Sequence, residues 1–220
     1  MRTVTLSGWG QPHDSLAHLA PDSVAIDFAH AANVSEAMRM IAANNPERII
    51  GWSLGGQLAV RAVASGLIKP KQLVLIATPY QFVAEGALGR ETFDKFYANY
   101  KNNPRRTLHK AWELIHYEDA KSDYISDQFA LFDKDAVMQR DWLRWLGLLE
   151  DFSCESLDFR RFPRTLLVHG TRDKVVDITQ SERMATCIAG AELERWEDCG
   201  HAPHLHDAAR LQKLIGALDV

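Results

Sequence analysis

Arg48-Ile49-Ile50-Gly51-Trp52-Ser53-Leu54-Gly55-Gly56 joins a short β-branched run to a serine flanked by glycines, and Leu58-Ala59-Val60-Arg61-Ala62-Val63-Ala64 follows with the small apolar composition of a buried helix. Strand, sharp turn and helix in that order are the context in which Gly-x-Ser-x-Gly becomes a nucleophile elbow, with the serine exposed at the turn. Gly51 and Gly55 keep the backbones on either side of Ser53 free of Cβ atoms. The turn leaves the Leu54 N–H beside the serine at a helix N-terminus, where negative charge is favoured. The competing reading is an ordinary loop, since glycine and serine are common.

Outward from this stretch, apolar runs recur with helical segments between them. Residues 2–6, 24–28, 72–77 and 165–170 read as further strands and 192–196 as an alternating edge strand. Helices are expected over 34–43, 54–65, from the turn at 171–176 to about 188, and 206–218. Strands apolar on both faces and alternating with helices specify a parallel sheet covered on both sides, an α/β fold. Between about 80 and 160 no apolar strand run occurs, aromatic residues are dense, and helical spacing dominates in Phe93, Phe96, Tyr97 and Tyr100 and in Trp142, Leu143, Trp145, Leu146 and Leu149. That segment reads as a helical cap inserted into a core formed by 1–79 and 161–220, its aromatic stripes serving helix packing.

The chain has 220 residues with 46% hydrophobic and 25% charged content, globular values. A net charge of −4 gives no general nucleic-acid signal. Cys154, Cys187 and Cys199 show no paired spacing and their odd number argues against a disulfide framework, which fits a reducing cytoplasm. The opening residues are too short and polar a stretch for a signal peptide, and no apolar run reaches membrane-span length.

A serine hydroxyl needs an imidazole to take its proton and a carboxylate to fix that imidazole. Asp173 follows the strand at 165–170, and His201 follows the one at 192–196. Both therefore emerge at the carboxyl edge of the sheet with Ser53, where open parallel sheets gather reactive groups. Asp151, Asp158 and Asp177 are the rival carboxylates, lying in the cap or within a helix. Ser7-Gly8-Trp9-Gly10 is a glycine-rich loop after the first strand, placed to offer a second oxyanion donor from the Trp9 N–H or simply to pack its indole. His201-x-x-His204-x-His206 hints at metal ligation, but no cysteine or carboxylate follows at ligand spacing, so no metal is expected.

Gly51-Trp52-Ser53-Leu54-Gly55-Gly56, Gly8-Trp9-Gly10, Gly170-x-x-Asp173 and Gly200-His201-Ala202-Pro203 together resemble the α/β-hydrolase superfamily. Within it they resemble the carboxylesterases of biotin synthesis that cleave pimeloyl-[acyl-carrier protein] methyl ester. The resemblance implies methyl-ester hydrolysis by Ser53, His201 and Asp173, with Trp9 and Leu54 as oxyanion and substrate contacts and no cofactor. It also implies an acyl channel lined by Ala111, Trp112, Glu113, Leu114 and Ile115. Lys101, Arg105, Arg106 and Lys110 would meet an acidic acyl carrier protein; they lie in a run from Lys95 to Lys110 free of acidic residues, which reads equally as a solvated helix face. Against the family pattern, the two leading strands are missing, giving a smaller, mostly parallel sheet. Ser7 stands where a histidine is usual, and Asp27-Phe28-Ala29-His30 lacks the usual glycine-rich turn. The readings left open are a general short-chain carboxylesterase or thioesterase, and a binding protein on a hydrolase scaffold.

Overall fold

The computed structural model describes residues 1–84 and 88–219. Six strands, β1 (Thr3–Leu6), β2 (Val24–Ala25), β3 (Arg48–Trp52), β4 (Gln72–Ile76), β5 (Arg164–Gly170) and β6 (Glu192–Trp196), form one sheet in the order β2-β1-β3-β4-β5-β6. Every pairing is parallel. Ten helices follow in chain order: α1 (Val34–Ala43), α2 (Leu54–Ala64), α3 (Arg90–Asn102), α4 (Pro104–Ile115), α5 (Ser122–Ala130), α6 (Lys134–Met138), α7 (Trp142–Glu150), α8 (Thr179–Cys187), α9 (Pro203–His206) and α10 (Ala208–Ala217).

The central strands are the most apolar and the most enclosed. Ile49, Ile50, Leu73, Val74, Leu75 and Ile76 are fully buried, each such side chain contributing roughly 1.5–3 kcal/mol of transfer free energy. Helix α2 crosses β1, β3 and β4, and its first turn comes unusually near the sheet. A Cβ on Gly55 would lie 2.2 Å from Leu6 O and 2.5 Å from Ser7 O, so only glycine lets the helix start against the end of β1.

Helix ends are set by local chemistry. Asn33 accepts from Glu36 N at 3.0 Å while the Glu36 carboxylate reaches back to Ala32 N at 2.7 Å, closing the start of α1. Asp133, Asp141 and Asp207 cap α6, α7 and α10. Pro104 opens α4 directly after α3, where its missing N–H costs nothing.

The strand expected at 24–28 is shorter. Only Val24 and Ala25 pair with β1, and Phe28–His30 make a 3-10 turn. The turn drives Phe28 between Trp142 and Trp145, at centroid distances of 6.5 and 5.2 Å, while Asp27 meets Arg140 at 2.6 Å. Phe28 is apolar because it wedges the sheet edge against α7, and not because it continues the strand. After His201 the chain winds into the single turn α9, begun by Pro203. Helices α3 to α7 all lie between β4 and β5 in sequence, and residues 85–87 of that segment fall outside the description.

Candidate active site

Ser53 sits between β3 and α2 at φ 52° and ψ −115°, a left-handed backbone that a non-glycine residue holds only where its surroundings over-determine it. Its N–H donates to Ile76 O at 2.9 Å and its carbonyl accepts from Gln57 N at 3.1 Å, so the turn is tied on both sides. Ser53 and His201 line one cavity of about 570 Å³. Among the described residues no hydrogen bond joins the Ser53 hydroxyl to the imidazole, a looseness common in sites without substrate.

His201 is held through its ring and through both sides of its backbone. His201 Nδ1 lies 2.6 Å from Asp173 Oδ2, His201 N donates to Ile115 O at 2.9 Å, and Trp52 Nε1 donates to His201 O at 2.9 Å. Asp173 is held in turn: Oδ1 accepts from Val175 N and Val176 N, both at 2.8 Å. Burial alone would raise the Asp173 carboxyl, but the charge and hydrogen bonds of His201, together with those of His169, outweigh it and hold the group well below the usual carboxylate range. A permanent carboxylate on Nδ1 leaves Nε2 as the ring's basic nitrogen, the arrangement a general base needs.

His169, absent from the sequence reading of the site, is part of this support. It is fully buried on β5, with Ser181 Oγ 2.7 Å from Nδ1, Val176 O 2.8 Å from Nε2 and Asp173 Oδ2 3.1 Å from Nε2. Its signal in the sequence was its place four residues before Asp173 at a strand end.

Trp9 and Leu54 both line or abut the serine, and among the described residues neither backbone N–H has a hydrogen-bond partner. Two unpaired donors beside a serine can stabilise an oxyanion. Trp9 is fixed through its indole, which donates to Trp142 O at 2.8 Å and packs edge-on against Phe96, Tyr100 and Trp142.

Of the expected channel residues, Ala111, Leu114 and Ile115 line the cavity. Trp112 and Glu113 do not, and these two are corrected. Positions 111, 114 and 115 share one face of α4, which turns 112 and 113 away. Trp112 is buried, donates Nε1 to Gly10 O at 2.9 Å and stacks on Phe129, whereas Glu113 is exposed beside His109. Arg106 and Lys110 line the cavity, one turn apart on α4. Lys101 and Arg105 do not; both are exposed, and Arg105 is paired with Asp135. Lys174, which sequence reasoning passed over, joins the lining and pairs with Glu118 at 2.9 Å.

The remaining histidines divide by environment. His204 is 1% exposed, its ring 4.2 Å from that of Trp52, and burial drives its pKa well below the ordinary value. His206 Nδ1 meets Asp119 Oδ1 at 2.8 Å. Asp119, Cys199 and His206 place ligand-type atoms within 4.8 Å of one another. Burial pushes the Cys199 thiol far up. The rival carboxylates stand apart: Asp158 pairs with Arg160 at 2.8 Å and Asp177 accepts from Thr179 N at 2.9 Å.

Known proteins are similar to this chain in sequence and in fold. The alpha/beta hydrolase family matches residues 2–212. The chain is 32% identical over 169 residues to a pimeloyl-[acyl-carrier protein] methyl ester esterase from Aromatoleum aromaticum, covering 71% of this chain and 67% of that protein. A protein of the same name from Stenotrophomonas maltophilia is 29% identical over 189 residues, covering 81% and 73%. Among solved structures, an esterase from Exiguobacterium antarcticum superposes with a TM-score of 0.81 at 16% identity, over 100% of this chain and 92% of that one, a likeness of fold. No helix among the described residues is long and apolar enough to cross a membrane. A sheet of this order, a strained serine at its elbow and a match over nearly the whole sequence lead to one assignment: the chain is a hydrolase and belongs to the alpha/beta hydrolase family.

Proposed function

We propose that this hydrolase is a serine carboxylesterase that cleaves the methyl ester of pimeloyl-[acyl-carrier protein]. The observation that carries the chemistry is Ser53 at φ 52° on the wall of a cavity it shares with His201, whose other ring nitrogen lies 2.6 Å from Asp173. Ser53 Oγ attacks the ester carbonyl as His201 Nε2 takes its proton. The Trp9 and Leu54 N–H groups receive the oxyanion, and His201 returns the proton to departing methanol. Water, deprotonated by the same imidazole, then frees the acid from Ser53.

Support for the substrate comes from the names of the relatives and from the cavity. Ala111, Leu114, Ile115, Leu146 and Leu149 give it apolar walls suited to an alkyl chain, while Arg106, Lys110 and Lys174 lie among its lining residues. On this reading residues 80–160 form the cap over the site. An acidic carrier protein docks on the face that bears Lys101, Arg105, Arg106 and Lys110. The three free cysteines fit a reducing cytoplasm.

The test is a double charge reversal, Arg106→Glu with Lys110→Glu, assayed on a carrier-linked methyl ester and on a small free ester. A fall of about tenfold or more in kcat/KM for the first, with the second spared, supports carrier recognition. Equal effects on both would favour a general short-chain carboxylesterase or thioesterase. Absence of Ser53 labelling by a fluorophosphonate would favour a binding protein on the hydrolase scaffold.

A further inference from the structure

The turn that leaves α4, residues 115–121, touches both loops that carry the proposed acid and base. Ile115 O accepts from His201 N, and Ala120 N donates to Asp198 O at 2.8 Å. Between these bonds stands Asp119, 5% exposed. Its Oδ2 accepts from Gly200 N at 2.6 Å; its Oδ1 accepts from Lys121 N at 2.7 Å and from His206 Nδ1 at 2.8 Å. On the other side, Glu118 O accepts from Arg172 Nη1 at 3.2 Å, and the Glu118 carboxylate pairs with Lys174.

The backbone at this junction is strained where the partners meet. Glu118 and Asp198 have φ of 62° and 60°, and Arg172 reaches both, forming an ion pair with Asp198. Left-handed non-glycine residues persist where the fold holds them for a purpose. A Cβ on Gly200 would stand 2.7 Å from Ile115 O, so the turn is pressed against the peptide immediately before His201.

We propose that Asp119 is a positioning residue for His201: its carboxylate fixes the Cys199–Gly200 peptide, one residue before the base, and with it the distance from imidazole Nε2 to Ser53. This rests on the serine esterase reading above. A buried carboxylate is costly to desolvate, and Asp119 is not a helix cap: α4 has ended before it, and α5 has Lys121 as its N-cap with no side-chain capping bond. Its three N–H donors explain its burial, and one of them is the amide next to the base. Charge-assisted bonds of this kind are shorter and stronger than neutral ones, which suits a group that holds a reacting atom in place.

The experiment uses the full chain with Asp119→Ala, Asp119→Asn and, as a remote comparison, Ile41→Ala in α1. Each is measured for Tm, for kcat and KM on a p-nitrophenyl ester, and for the low-field proton resonance of His201 Nδ1. Asp119→Ala is expected to lower kcat by about 10²-fold, the cost of a displacement on the order of 1 Å at a reacting group, with KM within about twofold and the resonance lost or shifted. Asp119→Asn keeps an acceptor for Gly200 and recovers roughly tenfold of that loss. Ile41→Ala lowers Tm with kcat unchanged. An Asp119→Ala protein with kcat near wild type, or a kcat loss shared by Ile41→Ala, overturns the proposal. If Asp119→Ala does not fold, an Asp119→Asn protein with unaltered kcat and resonance overturns it instead. A wild-type chain with no Ser53-dependent hydrolysis brings down the esterase reading and this one together; an active wild type indifferent to Asp119 brings down this one alone.

Discussion

Replacing Asp173 by asparagine keeps the shape of the acid and removes its charge, and the surroundings dictate how the amide must sit. Val175 N and Val176 N both point at Oδ1 from 2.8 Å, so the amide oxygen has to stay there. The NH2 group then takes the place of Oδ2, 2.6 Å from His201 Nδ1. A donor at that position forces Nδ1 to accept and moves the ring proton to Nε2, the nitrogen that must take the proton of Ser53. His169 makes matters worse, because the Nε2 proton that it donates to Val176 O also faces the new NH2 group. Loss of the correct tautomer and of the charge beside a developing imidazolium is worth about 10⁴ in kcat, the size seen for the equivalent change in a serine protease, or about 5 kcal/mol of barrier. The assay is steady-state hydrolysis of a p-nitrophenyl ester alongside the rate of fluorophosphonate labelling, with circular dichroism to confirm the fold. A folded Asp173→Asn protein within tenfold of wild type would refute the acid–base assignment. Stability offers a second readout. A carboxyl held below its unfolded value stabilises the fold fully above about pH 4 and loses that contribution as pH falls further. The stability gap between wild type and Asp173→Asn should therefore narrow between pH 5 and pH 2.

Two further outcomes follow from burial and close approach. His204 stays neutral in the fold but takes up a proton when unfolded below about pH 6.5, so stability should fall on acidification by up to about 1.4 kcal/mol per pH unit; urea titrations at pH 7 and pH 5.5 should show this slope reduced in His204→Phe, and equal slopes would contradict it. His116, also lowered by burial, adds a smaller slope of the same sign that the comparison cancels. Gly55→Ala puts a methyl 2.2 Å from Leu6 O and should cost well over 3 kcal/mol or prevent folding; a chemical-denaturation midpoint near wild type would show that α2 can shift away from β1.

Much of the framework was legible because it rests on local rules. The apolar runs of β3, β4 and β5, the small residues of α2 and the glycines around Ser53 each state their own conformation, and the order Ser53, Asp173, His201 followed from strand positions. What stayed hidden depends on contacts far apart in sequence. Asp119 and Gly200 are 81 residues apart, and nothing local marks Asp119 as buried. Phe28 looked like strand because hydrophobicity alone does not say which neighbour it serves. Trp112 and Glu113 were mistaken for channel residues because five consecutive positions were taken together, where the helical period admits 111, 114 and 115 only. His169 is a core residue, but the core there includes the carboxylate of Asp173.

Helix α4 contributes the Trp112 indole N–H to the carbonyl of Gly10, six side chains, Arg106 and Lys110 among them, to the cavity wall and Ile115 O to the amide of His201. One rod therefore bears on the Gly8–Gly10 loop, the cavity wall and the His201 loop together. On the proposed reading, the segment between β4 and β5 is not an exchangeable module: transplanting it from a relative would alter turnover along with selectivity, and substitutions that enlarge the cavity along this rod would have to be matched by changes in the loops it steadies.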